Sequence, residues 1–265
     1  IRLGSGGVML PNHSPLTVAE QFGTLAELHP GRIDLGLGRA PGTDPRTLRA
    51  LRRSPESAES FPQDVKELRG YLTGNSLIPG VQAMPGAGTD VPLTILGSSL
   101  FGAQLAAAYG LPYAFASHFA PDALVDAVAA YRSQFQPSEQ LAEPYVIAAV
   151  NVIISEDAQD AARQLEATQR SRVKAMVGRG REFTDEEMDM VMASPAAAQI
   201  LHMISYTGAG TPDTVVDYLH RFAEHADADE LMISPTATRQ PDVLTAMELS
   251  LIHISAPTSR RGISY

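Results

Sequence analysis

The sequence predicts an α/β fold built on parallel strands, and three observations carry that prediction. The first 39 residues read as strand, helix, strand. Along the whole chain about six short β-prone runs alternate with helical patterns. The length, 265 residues, suits one α/β barrel domain or two smaller domains.

Ile1–Leu10 is β-prone yet holds Gly4, Gly6 and Gly7. Glycine inside a strand points to a bulge, an unusual dihedral or a closely approaching ligand. Asn12 or Ser14 can cap the helix that follows, Pro15 suits its first turn, and Val18, Phe22, Leu25 and Leu28 fall on one face. His29-Pro30-Gly31 stops that helix. Ile33–Leu37 is then a short buried strand ending in Gly38-Arg39. A strand, helix, strand unit of this length implies a parallel pair joined by a right-handed crossover. The Arg39 cation therefore falls at the carboxyl end of a parallel strand, where α/β folds bind ligands.

Further strands are predicted at Leu93–Leu96, Tyr113–Ser117, Tyr145–Ile154 and Glu230–Ser234. A helix starts near Phe101, after Ile95-Leu96-Gly97-Ser98-Ser99. Asp157–Tyr206 reads as helical with a break at Gly178-Arg179-Gly180-Arg181. In Gly210–Val215 a Thr cap, a Pro at the first helical position and an early Asp are what a helix start needs, so that segment is read as structural.

Composition excludes several classes. The net charge is −10 and the pI about 5.1, and no Lys/Arg cluster is interleaved with aromatics, so no nucleic-acid partner is expected. Arg52-Arg53 reads as a solvated helix face. With no cysteine there is no disulfide framework, thiolate nucleophile or iron–sulfur site, which is compatible with a reducing cytoplasm, the expected location. No apolar run reaches the roughly 18 residues that span a bilayer, so no membrane partner is expected. No HExxH or clustered His/carboxylate spacing supports a metal. Gly97-Ser98-Ser99 lacks the GxSxG pattern of a nucleophile elbow.

The segments GSGGVMLPNHSPL, EQFGTLAELHPGRIDLGLGRAPGTD, ILGSSLFGAQLAAAYGLPYAFASHFAP and ADELMIS resemble the bacterial luciferase-like flavin monooxygenase family, in its subgroup of small MsnO8-type oxidoreductases. The resemblance implies a TIM (β/α)8-type barrel over residues 1–249. The chain enters in what matches the family's third strand, so roughly the first two βα units are expected to be missing, with the acidic-histidine motif that ends the family's second strand. The tail 250–265, SLIHISAPTSRRGISY, leaves the family pattern and is expected to be foreign sequence.

The implied activity is an FMN-dependent monooxygenase in which reduced flavin and O2 oxidise a small organic substrate. A flavin reductase would supply the reduced FMN, and a homodimer is the implied assembly. The alternatives are hydride transfer with the deazaflavin F420, and a non-catalytic flavin-binding protein or inert fragment. Cofactor absorbance separates the F420 alternative from FMN, and an upstream acidic-histidine strand would favour the enzyme over the inert reading.

Each candidate site residue has a structural alternative. By resemblance Gly6-Gly7 lies against the flavin ring with a non-prolyl cis peptide; an ordinary bulge is the alternative. A guanidinium at a strand's carboxyl end can hold a phosphate by two parallel hydrogen bonds, and the resemblance assigns Arg39 to the FMN phosphate. A salt bridge to Asp44 or Asp34 is the alternative. Gly97, Ser98, Ser99 and Gly102 bring free N–H groups and hydroxyls to a helix start, which binds anions. The resemblance makes them flavin or phosphate contacts, whereas Ser as a simple N-cap is the plainer reading. His118 and His13 are the acid–base candidates, against a role as hydrogen-bonded structural groups. Met188, Met190 and Met192 are read as adaptable packing rather than a cofactor box, in a region that by resemblance covers the barrel mouth.

Overall fold

A computed structural model of the chain describes residues 1–40, 44–178, 180–254 and 262–264. In chain order its elements are β1 (Leu3–Met9), α1 (Pro15–Leu28), β2 (Ile33–Gly38), α2 (Pro45–Ala50), α3 (Phe61–Thr73), β3 (Leu93–Gly97), α4 (Leu100–Tyr109), β4 (Tyr113–Phe115), α5 (Leu124–Gln134), β5 (Val146–Ile154), α6 (Ala158–Gly178), α7 (Asp185–Met192), α8 (Pro195–Met203), β6 (Thr207–Gly210), α9 (Pro212–His225), β7 (Glu230–Pro235), α10 (Gln240–Ile254) and β8 (Gly262–Ser264). All six predicted strands are present. Of the tail read as foreign, residues 255–261 and 265 lie outside the described residues, as do Pro41-Gly42-Thr43 of the quoted motif.

The chain divides into two compact units. The first comprises Ile1–Ala114 and Ala130–Pro144. Here β1, β2 and β3 pair in parallel, with Leu35 opposite Leu93 and Leu37 opposite Ile95. The inward positions Ile33, Leu35, Leu37, Leu93 and Ile95 are buried, as the β-branched and Leu alternation of these runs dictates. Gln140 acts as a piece of strand beside β3. Its Oε1 accepts from the Leu93 N–H at 3.1 Å and its Nε2 donates to the Leu93 carbonyl at 2.8 Å.

Two details of this unit differ from expectation. On α1 the buried residues are Val18, Ala19 and Gly23, while Leu25 and Leu28 are 42% and 67% exposed. A Cβ at Gly23 would lie 2.3 Å from the Gly86 Cα, so the helix meets the Pro85-Gly86 loop on its smallest side chain instead of along the predicted leucine stripe. Arg52-Arg53 is not on a helix face. Asp44 caps α2 and the helix ends at Ala50; Arg52 then takes a φ of 55°. Six helical residues leave no face for the pair.

The second unit comprises Phe115–Ala129 and the chain from Tyr145 onward. Strand β5 pairs in parallel with β6 and β7, and β7 with β8. Residues Ala148–Ile154 of β5 are buried, with Asn151 the single polar side chain among them. Helix α6 stops at Gly178 as expected, and Gly180 has φ +91°, while Arg179 of the predicted break lies outside the described residues. Thr184 and Glu187 form a capping box for α7. Val173, Met188, Ala197 and Ile200 form a small core joined by Phe183, Val191, Met192 and Leu201. Met188 and Met192 therefore pack as expected, whereas Met190 is exposed. Strand β6 was not anticipated. Its sequence, TGAG, has almost no β propensity; Gly208 is needed there because a Cβ would meet the Tyr218 ring at 2.6 Å. The helix start read at Gly210–Val215 is present as the first turn of α9, with Thr211 at the N-cap position.

Candidate functional site

In the first unit Gly6-Gly7 lie within β1, while Arg39 and Gly97–Gly102 follow at the carboxyl ends of the neighbouring strands β2 and β3. Strand β1 carries one extra residue. Ser5 opposes Leu35 and Val8 opposes Leu37, so three steps on β1 match two on β2, and the peptide between Gly6 and Gly7 is cis. The bulge and the cis peptide thus coincide. Ser5 locks the strand beside them: its hydroxyl donates to the Gly36 carbonyl at 2.9 Å and accepts from the Gly36 N–H at 3.0 Å. Gly7 is glycine for a steric reason, since a Cβ would sit 2.8 Å from the Gly36 carbonyl oxygen. Gly6 has no such neighbour. Around its Cβ direction nothing lies within 4 Å, and the residue is exposed.

Arg39 follows β2 and is exposed. Its guanidinium carbon lies 4.0 Å from the centre of the Phe101 ring in the first turn of α4. Neither carboxylate proposed as its alternative partner is available. Asp34 is paired with Arg2. Asp44 caps α2, accepting from Arg46 N–H, Thr47 N–H and the Thr47 hydroxyl at 2.8, 3.3 and 2.6 Å, bonds that hold its carboxyl below the usual carboxylate range. Among the described residues no carboxylate pairs with Arg39.

Beyond β3, Ser98 and Ser99 are exposed, and Ser99 occupies the N-cap position of α4 with extended backbone but no side-chain cap bond. Its carbonyl accepts a hydrogen bond from the Tyr113 hydroxyl at 3.0 Å. A Cβ at Gly102 would meet the Tyr113 ring at 3.3 Å, and one at Gly97 would lie 3.5 Å from the Tyr113 hydroxyl. Tyr113 is fully buried beside Tyr131, ring centres 5.6 Å apart. Burial pushes its phenol well above the ordinary value, so it stays a neutral donor. Sequence reasoning passed over Tyr113 because an aromatic residue in a strand reads as core, which it also is.

His13 follows a short 3₁₀ turn, Leu10–Asn12, and is exposed; its backbone N–H donates to the Leu10 carbonyl. The structure does not join its side chain to Arg39 or to Ser98–Gly102 among the described contacts.

His118 belongs to the second unit. Its ring is partly buried, packed edge-on against Phe119 with centres 4.6 Å apart, and its Nδ1 is buried without a hydrogen-bond partner. Burial, followed by the positive charge of Arg172, lowers its pKa below 6.5, so the imidazole is neutral at pH 7. Its backbone is held by Asn151, whose Nδ2 donates to the His118 carbonyl at 2.6 Å while its Oδ1 accepts from the Thr236 hydroxyl at 3.1 Å. Ser117, fully buried, donates to the Ala149 carbonyl at 2.5 Å. Asn151, which holds the backbone of the candidate His118, was also missed by sequence reading, and its signal was a lone amide in an apolar strand. Among the described residues no group of three or more His, Asp or Glu side chains could hold a metal, and no helix is long and apolar enough to cross a membrane.

A bulged glycine pair, an arginine with no carboxylate partner among the described residues and a helix start without a side-chain cap thus lie on neighbouring parallel strands of an α/β protein. Residues 1–229 match the family model described as luciferase-like monooxygenase, and the chain belongs to that family and to its TIM-barrel fold class. It is 44% identical to the uncharacterized protein YvbT of Bacillus subtilis over 94% of this chain and 75% of that one. It is 43% identical to a luciferase-like monooxygenase of Escherichia coli K12, covering 95% and 76%. The crystal structure of apo-MsnO8 superposes with a TM-score of 0.82 at 33% identity, covering 97% and 78%. Two more distant structures share the fold: a Baeyer–Villiger monooxygenase component from Pseudomonas putida in complex with FMN, at 16% identity and TM-score 0.64 over 96% of this chain and 78% of that one, and a coenzyme F420 dependent reductase from Methanopyrus kandleri, at 17% and 0.66 over 96% and 82%. Structural neighbours of the family thus include both flavin and F420 proteins.

Proposed function

We propose that this chain is a flavin-dependent monooxygenase that binds FMN through Gly6-Gly7, Arg39 and the Gly97–Gly102 turn, and oxidises a small organic substrate with reduced FMN and O2. The observation that carries the reading is Arg39. It is an exposed cation with no carboxylate partner among the described residues, held over the first turn of a helix whose N-terminus lacks a side-chain cap. A phosphate monoester needs such a pairing of a guanidinium fork with free N–H groups.

Each residue then has a task. The Arg39 fork and the Ser98 and Ser99 hydroxyls and N–H groups hold the phosphate. Gly6, with open space where a Cβ would stand, admits a planar ring against the strand end. Bound reduced FMN supplies the electrons that activate O2, so the chain needs no nucleophile of its own. His118, neutral and with an unpartnered Nδ1, can accept a proton or hydrogen bond from substrate; exposed His13 is the lesser acid–base candidate. Helices α6–α8 shape substrate access. A separate flavin reductase supplies reduced FMN, and the working form is a cytoplasmic homodimer.

Fluorescence titration with FMN and with F420 tests the reading. Quenching of FMN that is weakened in Arg39→Gln is the expected result. Binding of F420 in preference to FMN would turn the assignment to hydride transfer, and binding of neither would overturn it.

A further inference from the structure

Phe101 is an exposed aromatic residue in the first turn of α4. Gly102, Ala103, Leu105, Ala106 and Ala107 form the buried side of α4, while Phe101 is 37% exposed and faces Arg39. Phe101 is therefore not among the residues that bury α4 against the core.

The chemistry of the pair gives a reason for the ring. All five N–H donors of a guanidinium point outward in its plane, and its two faces are weakly hydrated. A carboxylate partner would consume donors. An aromatic ring attracts the cation through its face and leaves the donor edge free. An exposed arginine is otherwise mobile, and restraining it before ligand arrives lowers the ordering cost of binding. Asp34 and Asp44, the nearest carboxylates in sequence, are held elsewhere by Arg2 and by the α2 cap, so among the described residues the Phe101 ring is what Arg39 meets.

We propose that Phe101 is a positioning residue that presents the donor edge of Arg39 to the phosphate, so that the pair makes the protein select FMN over riboflavin. The inference rests on the FMN reading above.

The test is the ratio of riboflavin to FMN dissociation constants, measured by flavin fluorescence quenching at fixed salt on the full chain. The variants are Phe101→Leu, Phe101→Tyr, Arg39→Gln and the double variant Arg39→Gln/Phe101→Leu. Arg39→Gln is expected to lower the ratio about 10- to 100-fold, the worth of charge-assisted hydrogen bonds. Phe101→Leu is expected to lower it about 2- to 5-fold, as an exposed cation–π contact would, by weakening FMN alone. Phe101→Tyr retains the ratio, and the Leu substitution has no further effect once Arg39 is gone.

Equal weakening of FMN and riboflavin by Phe101→Leu would make the ring a flavin-packing contact and overturn the proposal. A Leu effect that persists in the Arg39→Gln background would overturn it as well. An unchanged ratio in Arg39→Gln, or no FMN binding by the parent, would instead remove the phosphate reading itself. Phe101→Met, unbranched and a good helix former, replaces the Leu variant if that one fails to fold.

Discussion

The Tyr113 hydroxyl donates a hydrogen bond to the Ser99 carbonyl at 3.0 Å while the same ring lies against Gly97 and Gly102. One buried side chain thus fixes the turn that carries four of the candidate flavin contacts, Gly97, Ser98, Ser99 and Gly102. It also gives Gly97 and Gly102 a packing reason to be glycine, beside any contact with a ligand. Tyr113→Phe keeps the ring and removes the donor. Ser99 is exposed, so water can take over its carbonyl, and the expected loss of stability is about 0.5–1.5 kcal/mol. Urea unfolding midpoints at unchanged slope check this; a variant as stable as the parent would show that the bond contributes nothing.

Neighbouring glycines of the β1 bulge should behave in opposite ways. At Gly7 a new Cβ would collide with the backbone oxygen of Gly36 at 2.8 Å, and neither strand can retreat without breaking the Ser5–Gly36 bonds. Gly7→Ala is therefore expected to destabilise by about 1–3 kcal/mol, as overpacking does. Gly6→Ala fills open space, so its stability changes less, while FMN binding falls if the ring approaches there. Thermal unfolding and flavin titration on both variants separate the two effects, and a Gly6→Ala protein with full FMN affinity would remove Gly6 from the site.

Hydrophobic period and turn chemistry were enough to read β2, β3 and the helix starts at Pro15 and Pro212, because those signals are local. Strand β6 was not legible, since TGAG owes its extended form to pairing with β5 and to room made for Tyr218. The leucine stripe of α1 misled, because where a helix docks depends on what arrives opposite it, here Gly86 against Gly23. The isolation of Arg39 from carboxylates was equally beyond the sequence. Asp34 and Asp44 stand close by in the chain; Asp44 is taken up by the local cap of α2, and only tertiary structure shows Asp34 engaged by Arg2.

His118 should make the chain less stable in mild acid. Its folded pKa lies below the unfolded 6.5 through burial and the nearby Arg172, so the unfolded chain takes up the proton first. Stability is then complete above pH 6.5 and declines as pH falls from there toward the folded value. His118→Gln removes this contribution. The difference between parent and variant urea midpoints, followed from pH 7.5 to 5.0, should change through that window; a constant difference would mean the imidazole is not held neutral.

Asn151 offers a sharper pH test of opposite sign. A carbonyl can only accept, so the amide nitrogen must face His118 and the amide oxygen must face the Thr236 hydroxyl, as observed. Asn151→Leu takes the donor from the His118 carbonyl, while the Thr236 hydroxyl keeps its bond to the Ser234 carbonyl at 3.1 Å, and is expected to cost about 1–3 kcal/mol at every pH. Asn151→Asp behaves differently. An ionised carboxylate would set its oxygen against the His118 carbonyl at a position only 6% exposed, whereas the protonated acid can still donate there and accept from Thr236. The folded-state pKa of the new Asp is therefore raised above its unfolded value of about 3.9. Its stability is fullest below that unfolded value and is lost as pH rises through the folded one. Urea midpoints should consequently show a larger deficit at about pH 8 than at about pH 4 for Asn151→Asp and an equal deficit at both for Asn151→Leu. A pH-independent deficit in the Asp variant would mean that Asn151 does not hold the His118 backbone through this bond.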